Sequence, residues 1–378
     1  IIMVLVAGPA GAQDVPWLAG DWNGQRQTLA DTGIGFEFVL TLEGVQNVAG
    51  GVARSSRGLL NLDLIMDAEG QALGLSEQGA LHVYFLGNDG GDPTEMIGDL
   101  QTTSNIETTN TLKLYELWWQ QRFADNHMAW LLGMHDYNAT FNALDTASLF
   151  TNSSFGISPD ISQVSPSIFS TTSLAFMLSL YGDQDTYLHA AAYDGVPGDP
   201  GDDQGTQIVL QNDDGVFYAL EGGFHDEDAG TKLALGVWHR TTDFDADFSG
   251  VSYSDNSGVY VIGETPLNEK WASFCQLGHA NKNRNQVGNY VGTGLTYSNW
   301  LMPEDTVGVG LAYANASSAH RDANPGMDDY EMAIECTYEF SPTPWLTLQP
   351  DIQFIQNPGM DAALDDAVAL SLRAYIAF

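Results

Sequence analysis

Basic residues are scarce in this chain. Lys and Arg number 12 against 49 Asp and Glu, for a formal net charge of -37. Nucleic-acid binding needs a basic footprint, so that class is excluded. Cysteine is scarcer still, with Cys275 and Cys336 alone. The strand pattern places them on non-neighbouring strands, too far apart for a disulfide. No apolar run reaches the ~20 residues of a membrane-crossing helix. The signatures G-x-S-x-G and H-E-x-x-H are missing and the eight His are scattered, so no enzyme is expected. No EF-hand spacing occurs, and neither metal nor cofactor is expected.

What is present is alternation. Aromatics make up 11% and Gly numbers 40, and short two-residue-period segments recur along the chain. In 367–378, Val368, Leu370, Leu372, Ala374, Ile376 and Phe378 share one face, and Ser371, Arg373 and Tyr375 the other. Sixteen such segments run from 36–48 to 367–378. Their connections alternate between short turns and long loops, the asymmetry of an outer-membrane barrel. A membrane protein without apolar helices must be a closed barrel, because open sheet edges cannot be satisfied in lipid. The expected fold is all-β: a 16-stranded antiparallel transmembrane β-barrel over 36–378, with a short periplasmic N-terminal helix in a lead-in at 13–35. Asn23 is the expected helix cap and Gly33 its end. Residues 1–12, with Ala10-Gly11-Ala12, read as the remnant of a secretory signal peptide.

A charge on the lipid face is costly, so charged residues should face the lumen. That rule nominates Glu43, Asp63, Glu116, His135, Asp136, Glu335, Glu339, Asp351 and Arg373 for the solute path, with Glu331 on the same face as Glu335. The last strand must pair with the first, bringing Arg373 near Glu37 or Glu43. A phase switch near Tyr115–Glu116 suggests a bulge, and Pro350 interrupts its strand. The long connection 136–171 holds Phe141, Phe150, Asn152 and Phe155. Long aromatic loops are usually functional rather than disordered, so this one is expected to fold inward and set the bore. The acidic loop clusters fit either a solvated surface or a cation-biased mouth.

Several stretches resemble the carbohydrate-selective porin (OprB-like) family. They are Trp17-Leu-Ala-Gly-Asp-Trp-Asn-Gly-Gln-Arg26 with Leu29 to Ile34, Glu43 with Asn47 and Gly50-Gly51, Leu149-Phe150-Thr-Asn152 with Gly156 and Pro159, and Trp345 to Gly359 with the final strand. The resemblance implies a sixteen-stranded outer-membrane barrel that passes small sugars by passive diffusion, narrowed by inward loops. Outer-membrane lipid and small sugars are the expected partners, with monomer and trimer both open. The strong acidity keeps a general or cation-selective diffusion porin as the alternative.

Overall fold

The computed structural model describes residues 17–199, 201–202, 204–246 and 248–378. The signal-peptide reading of 1–12 lies outside them. Alternating segments become strands because each can turn one face to lipid and the other to the lumen. The first half of the wall is β1 (Ile34–Ala49), β2 (Ser56–Glu69), β3 (Gly79–Gly90), β4 (Thr111–Phe123), β5 (Met128–His135), β6 (Ser173–Tyr181), β7 (Thr186–Asp194), β8 (Val216–Asp226) and β9 (Thr231–Arg240). β10 (Phe244–Asp245) and β11 (Ser252–Tyr253) form a separate small hairpin. The wall continues with β12 (Asn256–Pro266), β13 (Trp271–Ala280), β14 (Val287–Ser298), β15 (Thr306–Ala316), β16 (Tyr330–Thr343), β17 (Leu346–Gln356) and β18 (Ala367–Ala377).

These sixteen wall strands close into one antiparallel barrel, with β18 pairing β1 from Val39↔Ala377 to Ala49↔Val368. The bulge in β4 is present: Glu116 faces Tyr84 and Leu114 faces Phe85, leaving Tyr115 as the extra residue. Pro350 sits within β17, where it costs one ladder donor, yet Asp351 and Gln353 still turn inward and are buried. The long connection between β9 and β12 carries the β10–β11 hairpin.

The outer surface is what lipid requires. Along β9, buried Lys232, Ala234 and Trp238 alternate with exposed Leu233, Leu235 and Val237. Cys275 and Cys336 are free and on the outer face. Ring pairs near the short-turn end, Trp271–Tyr297 at 4.8 Å and Trp300–Tyr338 at 5.7 Å, form part of an interfacial aromatic girdle.

The lead-in fastens the seam from the short-turn side. Its helix α1 (Gln25–Asp31) is capped by Gly24 in the left-handed region, not by Asn23. Asn23 itself lies at φ 60, ψ 40 and makes no capping bond; Asp21 takes the free Gln27 N–H at 3.1 Å instead. Gly33 at φ +88 ends the helix as expected. Arg26 donates to the carbonyls of Phe378 at 2.6 Å and Phe36 at 2.7 Å, beneath the Trp17 ring at 3.5 Å. One guanidinium thus satisfies carbonyls of both closing strands.

Candidate functional site

The connections at the long-loop end decide the bore. Two of them, 91–110 between β3 and β4 and 136–172 between β5 and β6, turn into the barrel and carry a core of their own. Phe150 and Phe155 lie 4.7 Å apart and meet Phe274 of β13 at 5.6 and 5.7 Å. Tyr137 stacks on Phe141 at 5.0 Å. The wall makes room by presenting small residues. A Cβ on Gly310 would stand 2.7 Å from Phe155, and one on Gly308 2.7 Å from Leu149. The Gly308, Gly310, Ala312 face of β15 is therefore a seat for the loop.

Phe141, Phe150, Asn152 and Phe155, expected to set the bore, are all within 1% of full burial. Their side chains pin the loop against β8 and β12–β17. The ring faces are used in packing.

Polar anchoring is done by wall carboxylates that accept loop backbone N–H groups. Glu335 on β16 accepts from Thr151 N at 2.6 Å and Asn152 N at 3.0 Å. Glu264 on β12 accepts from Asp145 N at 3.0 Å and Thr146 N at 2.6 Å. Glu221 on β8 takes Asn142 N at 2.9 Å, and Lys232 stands 3.8 Å away. Glu331 takes Leu100 N, Gln101 N and Gly359 N at 2.7, 2.8 and 2.6 Å. Glu116 takes Asp136 N at 2.7 Å. A loop inside a barrel has no ladder to join, so its buried N–H groups need other acceptors. Hydrogen bonds to a charged group contribute ~1.5–3 kcal/mol each, which makes an ionised carboxylate the strongest acceptor on offer.

This changes the place of several expected path residues. Glu335 is closed off from solvent by the loop it holds, and Glu116 and Asp351 are nearly so. His135 is 1% exposed and bonded through Nδ1 to the Tyr193 hydroxyl at 3.0 Å. Asp136 accepts Asn138 N at 2.7 Å and the Tyr115 hydroxyl, and burial beside Glu116 pushes its carboxyl up to about 7. Glu339 stays half-buried on the lumenal face.

The open space lies on the other side of the barrel. A cavity of about 490 Å³ runs between the inner face of β1–β3 and β18 and the two inward loops. From the wall come Thr41, Asn61, Asp63, Tyr84, Arg373 and Tyr375; from 91–110 come Gln101, Thr102, Asn105 and Glu107. The longer loop adds Asn138, Ser153, Ser154, Ser162 and the Phe169 ring. Asp63 accepts from Tyr84 at 2.5 Å and Asn61 at 2.7 Å. Arg373 is opposite Glu43 in the ladder and binds its Oε2 through Nη2 at 2.8 Å and Nε at 3.1 Å. Glu43, not Glu37, is thus its partner, and Ser104 of the loop joins them at 2.7 Å from the same carboxylate oxygen. Glu107 holds Thr94 N at 3.2 Å through each oxygen; burial and then Asp99 push its carboxyl up to about 7.

Among the expected path residues, Asp63 and Arg373 line this gap. Tyr84, Tyr375 and the 91–110 contributions were not anticipated. The only signal for that loop was its length, and its hydroxyl and amide side chains look like ordinary loop composition. Glu221 and Glu264 could have been found as isolated acids on otherwise small or apolar inward faces.

A closed sixteen-stranded barrel with a lipid-compatible outside and a water-accessible, loop-narrowed inside is a diffusion channel of the bacterial outer membrane. Among the described residues no helix is long and apolar enough to cross a membrane. The family description "Carbohydrate-selective porin, OprB family" matches residues 53–378, and the chain belongs to that family. It is an outer-membrane porin for small carbohydrates and not an enzyme. The chain is 22% identical over 428 residues to Porin B of Pseudomonas aeruginosa (strain PAO1), covering 98% of this chain and 93% of that protein. In fold it is similar to the high-pH structure of Pseudomonas putida OprB, with a TM-score of 0.85 at 20% identity over 96% of this chain and 98% of that one. It also resembles the outer-membrane channel DcaP of Acinetobacter baumannii, with a TM-score of 0.60 at 10% identity over 91% and 97% of the two chains.

Proposed function

We propose that small neutral sugars cross through the gap between β1–β3 with β18 and the two inward loops. The observation that carries this is the lining. In a chain of net charge -37, the polar groups of the gap are mainly hydroxyls and amides, beside apolar Leu100, Ile106, Ile157 and Ile168, with Asp63, Glu107 and Arg373 as its charged groups. Hydroxyl and amide groups replace sugar hydration without binding so tightly that the solute stays. Tyr84, Tyr375 and Phe169 supply ring faces for the apolar side of a pyranose. Arg373 and Asp63 on the wall, with Glu107 on the loop facing them, fix charges of both signs around the gap, which orients a polar neutral solute rather than drawing one ion through. A cation-preferring channel is the second reading, favoured by two acids against one base that is already paired with Glu43.

Swelling of proteoliposomes separates the two readings. Faster entry of glucose than of a singly charged solute of the same size supports the sugar path. Equal entry, with a strongly cationic reversal potential in a salt gradient, would replace it with the second.

A further inference from the structure

The short turns at the periplasmic end are of two kinds. Those between β4 and β5, β6 and β7, and β8 and β9 are exposed and acidic, with Asp125, Asp183, Asp185, Glu227 and Asp228. The turn between β14 and β15 is exposed but apolar: Trp300, Leu301 and Met302 are 53, 66 and 37% exposed. It is also rigid. Asp305, closed off from solvent, accepts the N–H groups of Trp300, Leu301 and Met302 at 2.6, 2.8 and 2.8 Å, and the Tyr338 hydroxyl at 2.6 Å. With three successive N–H groups gathered on one carboxylate, the three side chains stay on the outside. The Glu304 N–H bonds the Asn299 side chain at 2.9 Å and closes the turn.

This turn leans on the lipid-facing wall. The Trp300 ring stands 5.7 Å from Tyr338, which stacks on Phe340 at 5.2 Å. The β12–β13 turn lies beside it, with Leu267 and Trp271 exposed and the Trp271 ring 4.8 Å from Tyr297. Lys270 ties the two turns together. Its Nζ donates to the Asn299 carbonyl at 3.2 Å and lies 5.2 Å from the centre of the Tyr297 ring, and its carbonyl accepts from Ser298 N at 2.9 Å. No carboxylate among the described residues pairs with its exposed ammonium.

We propose that these two turns form a ledge that enters the periplasmic leaflet and holds a phospholipid, with an acyl chain against Leu301 and Met302 and the phosphate on Lys270. Contiguous exposed apolar surface marks a contact with another phase or partner, and this surface continues the lipid-facing wall without a break. Trp and Tyr rings sit at the headgroup level of a bilayer, and the ledge is built around four of them. An ammonium at that level meets lipid phosphates. Lys270 has three N–H groups, and the Asn299 carbonyl occupies one. The acidic turns of the β4–β9 side are repelled by the same anionic headgroups and stay in water. The barrel is thereby held in the leaflet from one flank of its periplasmic rim.

The test uses the full-length protein in proteoliposomes of phosphatidylethanolamine and phosphatidylglycerol. The Trp300 signal is the difference in emission between wild type and Trp300→Phe. Phospholipids brominated along the acyl chain are expected to reduce that signal about twofold or more, and aqueous acrylamide to leave it nearly unchanged. Quenching by acrylamide and not by bromolipid places the turn in water and overturns the ledge. Quenching by neither also overturns it and indicates a protein surface, such as a second copy of this chain, over Trp300. Lipid capture is read by native mass spectrometry of detergent-extracted protein titrated with phosphatidylglycerol. Leu301→Asp and Lys270→Gln are each expected to weaken capture about threefold or more. Equal capture by wild type and Lys270→Gln overturns the headgroup assignment, and equal capture by Leu301→Asp overturns the acyl contact. Both side chains are exposed, so each variant should keep the heat-dependent gel mobility of the folded barrel and the glucose entry of wild type.

Discussion

Replacing Glu335 by alanine should loosen the long loop without opening the barrel. Glu335 is fully buried, and its two oxygens take Thr151 N, Asn152 N and the Thr151 hydroxyl at 2.6, 3.0 and 3.2 Å. Alanine removes every one of these acceptors. A buried donor left without a partner costs ~1–3 kcal/mol, so two orphaned N–H groups cost about 2–6 kcal/mol, less whatever water entering the vacated space returns. The β16 ladder to β15 and β17 runs through the backbone and is untouched. Glu264 and Glu221 still hold 142–146, so the loosening is confined to the stretch around Phe150 and Asn152. Single-channel recording in planar bilayers should then show larger and noisier conductance, and weaker block by added glucose. Glu335→Gln keeps one acceptor but turns an amide N–H₂ toward one loop N–H, and should fall between. Conductance, noise and sugar block all unchanged in Glu335→Ala would refute the idea that this carboxylate holds the loop.

Arg373→Gln strands the buried Glu43 carboxylate. Breaking a buried pair from one side costs ~3–5 kcal/mol, so the temperature at which the barrel unfolds on a gel should fall clearly, and an unchanged transition would argue against the pair. Gly310→Leu drives a side chain into Phe155 and Phe150, whereas Gly35→Ala meets nothing within 4 Å. Overpacking of ~1–3 kcal/mol should displace the loop and weaken glucose block in the first variant only; block that changes in both, or in neither, would contradict the seat on β15. Glu107 gives a pH dependence. Its folded pKa is raised, so the folded state binds the proton more readily than the unfolded chain. Its contribution to stability is largest below the unfolded value and is lost as pH rises toward about 7. Across the same range, falling pH removes a negative charge from the path. Cation preference from reversal potentials should therefore decline with a midpoint near 7, and Glu107→Gln should abolish that step.

The architecture was readable because a barrel wall is a local property repeated. Each segment's alternation reports its two solvents, and the short-turn and long-loop rhythm reports its two ends. Even the Tyr115 bulge left its mark as a change of phase. The helix cap at Asn23 was misassigned because a left-handed Gly24 can begin a helix with no side-chain bond, a choice the residue type at 23 does not reveal. The small β10–β11 hairpin was missed because two-residue strands carry no alternation.

Sequence by itself determined the cylinder: which residues meet lipid, which turn inward, and that Arg373 on the last strand must meet an acid on the first. Only the tertiary structure decided which inward groups line the open gap. Charge keeps a side chain out of lipid whether it ends in water or under a loop, so Glu335 and Asp63 look alike along the chain. They differ because loop 136–172 covers one half of the lumen and leaves the other open. That depends on contacts between residues far apart in sequence, such as Phe155 with Gly310 and Thr151 with Glu335.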